Sequence, residues 1–135
     1  MKRRVVVTGL GIVSPLGLGL KENETALFEG RSGVDFIKTF TPEENFPVKI
    51  AGEVKGFDPE EYIDHKAVKK MDRFIHYAVA CSKMALDDSG IVINDENAER
   101  VGVIVGVGLG GLPAIEKYHN ISREKGVKKI TPFFK

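Results

Sequence analysis

Two valine-rich segments, each followed by a glycine-rich turn and a helical pattern, constrain the fold of this chain most strongly. The first covers residues 4–8 and the second covers residues 99–107. Runs of valine and isoleucine without polar alternation are typical of strands buried on both faces, as in a parallel sheet. Because the order strand, turn, helix occurs twice, the sequence predicts an α/β fold with right-handed crossovers and a mainly parallel central sheet.

Periodicity and end signals predict the other elements. The clearest helix is expected at residues 67–89, ended by Gly90, because apolar residues recur there at spacings of three and four. Gly30 is expected to end an earlier helix. The remaining predicted elements are helices at 21–29 and 113–125, a helical turn at 59–63, and short strands at 34–37 and 49–54.

Composition narrows the class of protein. With 42% hydrophobic and 29% charged residues, the 135-residue chain has the make-up of one folded domain. A net charge of +1 gives no global attraction to nucleic acid or to a membrane, so neither is expected as a partner. A single cysteine excludes an intrachain disulfide, and the basic N-terminus lacks an apolar segment long enough for a secretory signal. These features predict a cytoplasmic protein.

The two glycine clusters raise the alternative of a dinucleotide-binding domain. They cover residues 9–14 and 106–111, and each follows a predicted strand. In the first cluster, residues 14–17 prolong the loop where a nucleotide-binding turn would open directly into a helix. The acidic residue expected after a second strand has only Asp35 as a candidate. Glycines that permit tight turns and close packing explain both clusters more simply.

No catalytic or metal-binding residue is predicted within the chain. Cys81 lies mid-helix on the apolar face, with nothing electropositive predicted beside it to activate the thiol, and a small buried cysteine is the simpler interpretation. Histidines and carboxylates lack the spacing of a metal site, and no cofactor is expected. One local basic patch stands out, at Lys66, Lys69, Lys70 and Arg73, whose spacing would place them on one side of a helix. From charge alone, a solvated helix face explains this patch.

The apolar cluster at residues 130–134 predicts that the chain is part of a longer polypeptide. It contains two phenylalanines, and only one lysine follows it. Large side chains left in water are unusual in a complete domain. Folding of this cluster back onto the chain's own core is the alternative.

Four motifs, in the right order, resemble those of the β-ketoacyl-acyl-carrier-protein synthases of type II. They are residues 3–17 (RRVVVTGLGIVSPLG), residues 70–74 (KMDRF), residues 106–112 (GVGLGGL) and residues 130–134 (ITPFF). The resemblance implies a thiolase-like layered fold, of which residues 1–135 would be the N-terminal part. It also implies an acyltransferase of fatty acid biosynthesis that elongates acyl chains by decarboxylative Claisen condensation with a malonyl-loaded carrier protein.

The resemblance places the reactive groups outside this chain. Members of the family use a cysteine nucleophile and two histidines. Cys81 lacks the family's Thr-Ala-Cys context, and neither His76 nor His119 matches the contexts of the family's histidines. Lys135 stands where the family usually has an aliphatic residue. The 135-residue chain alone is therefore expected to be inactive.

Binding roles can be carried over by position. The resemblance implies that Leu109 and Leu112 line the far end of an acyl pocket and that Phe134 reaches across a homodimer interface towards the partner's pocket. It further implies that Lys66, Lys69 and Lys70 (the docking lysines) meet an acidic acyl carrier protein, acyl- or malonyl-loaded. A non-catalytic, chain-length-setting partner subunit, as in aromatic polyketide systems, is the alternative function.

Overall fold

The structure is a computed structural model, and it describes residues 3–131. In chain order, the elements are strands β1 (Val13–Ser14) and β2 (Gly17–Leu18), helix α1 (Leu20–Phe28), strands β3 (Val34–Phe36) and β4 (Ile50–Gly52), and helices α2 (His65–Val68), α3 (Arg73–Ser89) and α4 (Leu112–Lys125). Short 3-10 turns occupy Pro59–Glu61, Ala98–Arg100 and Val127–Lys129. The chain divides into two compact units, one comprising Met1–Asp58 and Ala80–Val92, the other Pro59–Val79 and Ile93–Lys135.

The first unit contains two antiparallel hairpins and α1. β1 pairs with β2 through Val13↔Leu18, and β3 pairs with β4 through Asp35↔Ala51. Helix α1 ends as predicted at Gly30, which has a φ of 65°. The amides of Gly30 and Arg31 donate to the carbonyls of Leu27 and Ala26, the bond pattern of a glycine-terminated helix.

The second unit contains α2, α4 and the start of α3. Asp64 caps α2 by accepting a hydrogen bond from the amide of Lys66 at 2.9 Å. Helix α4 begins one residue earlier than predicted and ends where the sequence indicates, at Lys125 before Gly126. Lysine and arginine in its last turn suit the negative end of the helix dipole.

The long predicted helix is broken, and this prediction was wrong. Instead of one helix over 67–89, α2 ends at Val68 and α3 begins at Arg73. Between them the amides of Lys70 and Met71 donate to carbonyls three residues back, those of Ala67 and Val68. Such bonds tighten the chain into a turn and end the helical ladder. The four cations at positions 66, 69, 70 and 73 therefore do not share one helix face.

The structure assigns no strand to residues 4–8 or 101–107. The first residues of the second valine-rich segment, 99–107, belong instead to the 3-10 turn Ala98–Arg100. The prediction that these segments are buried is wrong for the described chain, since Val5 is 93% and Ile104 is 99% exposed. A strand needs neighbouring strands for its backbone hydrogen bonds and other elements to cover its faces. The predicted parallel sheet therefore stays a prediction.

Few side chains are buried. Among residues 3–131, only Asn23, Ala26, His76 and Ala80 fall in the buried class. Two of these are polar, and no large apolar side chain of the described residues is fully enclosed. Cys81, predicted to be buried, is only half-buried, whereas its neighbour Ala80 is fully covered. Much apolar surface of residues 3–131 is thus exposed.

Candidate functional site

The docking lysines lie on α2 and on the turn that follows it. Lys66 belongs to α2, Lys69 caps its C-terminal end, and Lys70 lies in the turn before α3. All three are exposed. Within residues 3–131, the ion pairs involve other cations, and neither Lys66 nor Lys69 forms one with a carboxylate. This surface is a local positive patch on an otherwise almost neutral chain.

A cavity of about 400 Å³ opens beside this patch, within the second unit. Its charged lining consists of Lys69, Lys70, Lys117 and a single carboxylate, Asp72. Its apolar lining includes the side chains of Met71, Phe74, Ile75 and Ile115. The lysines outnumber the carboxylate, so the cavity combines apolar walls with a surplus of positive charge.

The second glycine turn forms another wall of this cavity through Gly110 and Gly111. A Cβ at Gly110 would lie 2.9 Å from the ring of Phe74. Gly111 caps α4 with a φ of 70°, which favours glycine, and its missing Cβ would lie 2.9 Å from Oδ2 of Asp72. The glycines thus let the turn approach the start of α3 closely.

The predicted pocket leucines flank this turn without lining the cavity. Leu109 is 75% exposed and Leu112 is 55% exposed. Phe134, the third predicted pocket residue, lies outside the described residues. The structure therefore brings Lys69 and Lys70 together with the glycine turn and leaves the acyl-pocket assignment untested.

Sequence reasoning missed Lys117, whose ammonium lies 5.5 Å from the centre of the Tyr118 ring. The periodicity of α4 does not distinguish Lys117 from the other exposed positions of that helix. Lys117 lies at the cavity because α4 and the start of α3, which are distant in sequence, both line it. The sequence also did not predict the burial of His76, which is 9% exposed and donates a hydrogen bond from Nε2 to the carbonyl of Val68 at 3.1 Å.

The first glycine loop packs against α3. A Cβ at Gly9 would lie 2.2 Å from the carbonyl oxygen of Ala85, and a Cβ at Gly11 would lie 2.0 Å from that of Cys81. Between them the amide of Leu10 donates to Oδ2 of Asp88 at 2.9 Å. Because the loop backbone rests on α3, its amides are not arranged around a space for a pyrophosphate. This geometry disfavours the dinucleotide-binding alternative.

Two kinds of site are absent from residues 3–131. No group of three or more His, Cys, Asp or Glu side chains is arranged to hold a metal ion. Within the same described range, no helix is both long and apolar enough to cross a membrane.

Comparison with known families decides the class of protein. Residues 2–134 match the model of the β-ketoacyl synthase N-terminal domain. The chain belongs to the β-ketoacyl synthase family. This confirms the resemblance drawn from the four sequence motifs.

Curated members of the β-ketoacyl synthase family match almost the whole chain. It is 49% identical over 133 residues to the 3-oxoacyl-[acyl-carrier-protein] synthase 2 of Vibrio cholerae and 50% identical to that of Vibrio harveyi. Each alignment covers 98% of this chain and 32% of the relative. The chain thus spans about a third of the length of the curated relatives it matches.

Solved ketosynthase structures support the fold. One, described as a type II PKS acyl-carrier protein in complex with its ketosynthase bound to the hexaketide, aligns with a TM-score of 0.78 at 27% identity and covers 99% of this chain and 36% of that one. Another, the ishigamide ketosynthase/chain length factor, gives a TM-score of 0.62 at 41% identity and covers 68% of this chain and 23% of that one. The thiolase-like ketosynthase fold is therefore shown, without the details of its central sheet.

Proposed function

We propose that this chain is the N-terminal part of a 3-oxoacyl-[acyl-carrier-protein] synthase that elongates fatty acyl chains in the cytoplasm. The observation that carries the proposal is its 49% identity, over 98% of its length, to an enzyme of that name. The positively charged cavity beside the second glycine turn supports it further, since a carrier-linked acyl chain presents both an acidic protein and a hydrocarbon.

The proposed reaction is a decarboxylative Claisen condensation. An acyl group passes from the carrier protein's thiol to a cysteine thiolate of the enzyme, forming a thioester. Malonyl-carrier protein loses CO₂, and the carbanion left behind attacks the thioester carbonyl. A carbon–carbon bond forms and the cysteine thiolate leaves. The nucleophilic cysteine and two histidines belong, in this proposal, to polypeptide that follows residue 135.

The same proposal explains the exposed valine-rich segments. In the complete synthase, residues 4–8 and 101–107 would be strands of a mainly parallel central sheet, covered by helices on both faces. Burying a valine or isoleucine side chain contributes about 1.5–3 kcal/mol, so the exposed residues Val5 and Ile104 represent stability that added polypeptide would supply.

Activity gives the primary test. The full-length protein should form 3-oxoacyl-carrier protein from acyl- and malonyl-carrier protein and release CO₂, whereas the 135-residue chain alone should do neither. A full-length protein that binds both carrier forms but shows no condensation would contradict the enzymatic proposal. Condensation by the short chain would contradict the proposed location of the reactive groups.

The docking lysines are proposed to bind the acidic carrier protein. Two features support this role: the exposure of all three side chains, and the adjoining cavity that Lys69 and Lys70 line. Reversing both charges, as Lys69→Glu with Lys70→Glu, should weaken carrier binding about tenfold or more at low salt and reduce its salt dependence. The matched control reverses Lys21 on α1, in the first unit. Equal carrier affinity in all three proteins would remove the docking role.

The acyl pocket is proposed to include Leu109 and Leu112, with Phe134 contributed across a homodimer interface. An apolar pocket selects chain length because each buried methylene contributes about 0.8 kcal/mol. In the full-length enzyme, Leu109→Phe should therefore shorten the longest acyl chain that is accepted. Unchanged chain-length kinetics would count against this assignment, and a monomeric native mass would count against the homodimer.

A non-catalytic, chain-length-setting subunit is the second candidate. The 41% identity to a protein described as a ketosynthase/chain length factor favours keeping it. The residue at the nucleophile position of the full-length protein discriminates between the two. A cysteine in a Thr-Ala-Cys context supports the synthase, and any other residue type supports the partner subunit.

A further inference from the structure

His76 is a buried histidine that the proposed reaction does not use. It lies in the first turns of α3 and is 9% exposed. Its Nε2 donates a hydrogen bond to the main-chain carbonyl of Val68 at 3.1 Å. Val68 is the last residue of α2, so this bond joins the start of one helix to the end of another.

Helix α2 depends on such contacts for its position. It has only four residues, and a helix of this length is unstable on its own. Asp64 holds its N-terminal end through the amide of Lys66. At its C-terminal end, the carbonyl of Val68 accepts from the Met71 amide at 3.2 Å and from His76. One carbonyl therefore fixes both the tight turn and the attachment to α3.

We infer that His76 is a positioning residue for carrier docking. By bonding to Val68, it holds α2 and the following turn in one conformation, and with them the docking lysines. A preorganised charged surface binds more tightly because less conformational entropy is lost on binding. This inference rests on the proposed carrier-docking function of the patch, and His76 itself touches no substrate in it.

The test uses the full-length protein and three variants. His76→Leu removes the donor, His76→Gln keeps an amide donor near the position of Nε2, and His119→Leu is the control, since His119 is exposed on α4. In His76→Leu, hydrogen exchange of the amides at 66–71 should quicken about fivefold, as expected for the loss of one neutral hydrogen bond. The KM for acyl-carrier protein should rise while kcat stays unchanged, because only the fraction of protein with the lysines held in place binds the carrier.

The outcomes distinguish the positioning role of His76 from the docking role of the lysines. His76→Gln should restore both readouts, and His119→Leu should change neither. Unchanged exchange or unchanged KM in a folded His76→Leu protein overturns the positioning role, as does a folded His76→Gln protein that fails to restore KM. If the double variant Lys69→Glu with Lys70→Glu also leaves KM unchanged, docking at this patch is overturned. If KM is raised in the double variant but normal in His76→Leu, only the His76 inference is overturned.

Discussion

The two glycine-rich turns follow similar valine-rich segments, yet the surroundings of their first glycines differ. At the first turn, the missing Cβ atoms of Gly9 and Gly11 face the backbone of α3 at 2.0–2.9 Å. At the second, apart from the chain neighbours, no atom of residues 3–131 lies within 4 Å of the Cβ positions of Gly106 and Gly108, whereas Gly110 and Gly111 approach Phe74 and Asp72. Similar sequence patterns thus lead to close packing at the first turn and to an open surface at the first glycines of the second.

The difference teaches that a glycine cluster has no single meaning. The first loop is also held by Asn23 of α1, which is 4% exposed and donates to the carbonyls of Gly17 and Gly19. Ser14 donates to the Asn23 side-chain oxygen and accepts from the amide of Leu16. In the second turn Leu109 is exposed, and the last two glycines approach Phe74 at the start of α3. A binding role therefore fits the second turn better than the first.

The largest expected effect on stability is that of a methyl group added to the first turn, compared with one added to the second. Gly11→Ala should destabilise the protein by about 3 kcal/mol, because the methyl group would meet the rigid carbonyl of Cys81 at 2.0 Å. The matched control, Gly106→Ala, should change stability by less than about 1 kcal/mol, since its Cβ enters open space. Urea unfolding measures both. A large cost at Gly106 would break the comparison and show that other polypeptide packs against the second turn.

Removing the polar support of the first loop should have the next largest effect. Asn23→Leu should cost about 2 kcal/mol, because the part-buried carbonyl oxygens of Gly17 and Gly19 lose the side-chain amide that donates to both. Thr25→Ala, on the same helix, removes an exposed hydroxyl bonded to the Lys21 carbonyl and should cost less than about 0.5 kcal/mol. Similar costs for both, measured by urea unfolding, would mean that Asn23 does not organise the loop.

The second turn offers a smaller, reversible effect. Gly110→Ala should cost about 1 kcal/mol, because its Cβ would lie 2.9 Å from the Phe74 ring, which can shift where a carbonyl cannot. In a Phe74→Ala background this cost should fall, and the remainder should come from Cγ1 of Val107, which also lies 2.9 Å from the Cβ position. A double-mutant cycle measures the coupling. An equal cost in both backgrounds would show that the contact between Gly110 and Phe74 does not limit the turn.

The sequence predicted what local chemistry determines. Helix α4, the glycine end of α1 and the family were all identified from spacing and motifs. The break between α2 and α3 was missed, although Asp64 caps α2 through its side chain and the Asp72 carbonyl starts α3 by accepting from the amide of Ile75. An aspartate ahead of an apolar helical pattern is a recognisable start signal. Helical periodicity across residues 67–89 concealed it.

The burial of two polar side chains could not be predicted in the same way. Asn23 and His76 are buried, although polar residues are more often exposed, and their hydrogen bonds to nearby carbonyls follow no repeating pattern in the sequence. The exposed valines have the opposite cause. Their pattern predicts burial against strands, and none of the strand pairs in residues 3–131 includes them. Sequence patterns therefore report the environment for which a residue is suited, even where the described chain does not provide it.

The smallest expected effect is an acid response confined to the first unit, where the first glycine loop also lies. On the β3–β4 hairpin, a hydrogen bond from Lys38 at 2.9 Å, aided by the Phe36 amide, lowers the pKa of Asp35 from 3.8 to about 2. Because the folded pKa is depressed, this contribution is complete above about pH 4 and is lost as pH falls towards 2. Asp35→Asn should therefore be slightly less stable than the parent at pH 5, and this difference should shrink towards pH 2 and in 1 M salt. Hydrogen exchange should show the difference at Val34–Phe36 and not at Leu112–Lys125. A difference independent of pH, or one seen equally in α4, would show that acid does not act through this hairpin.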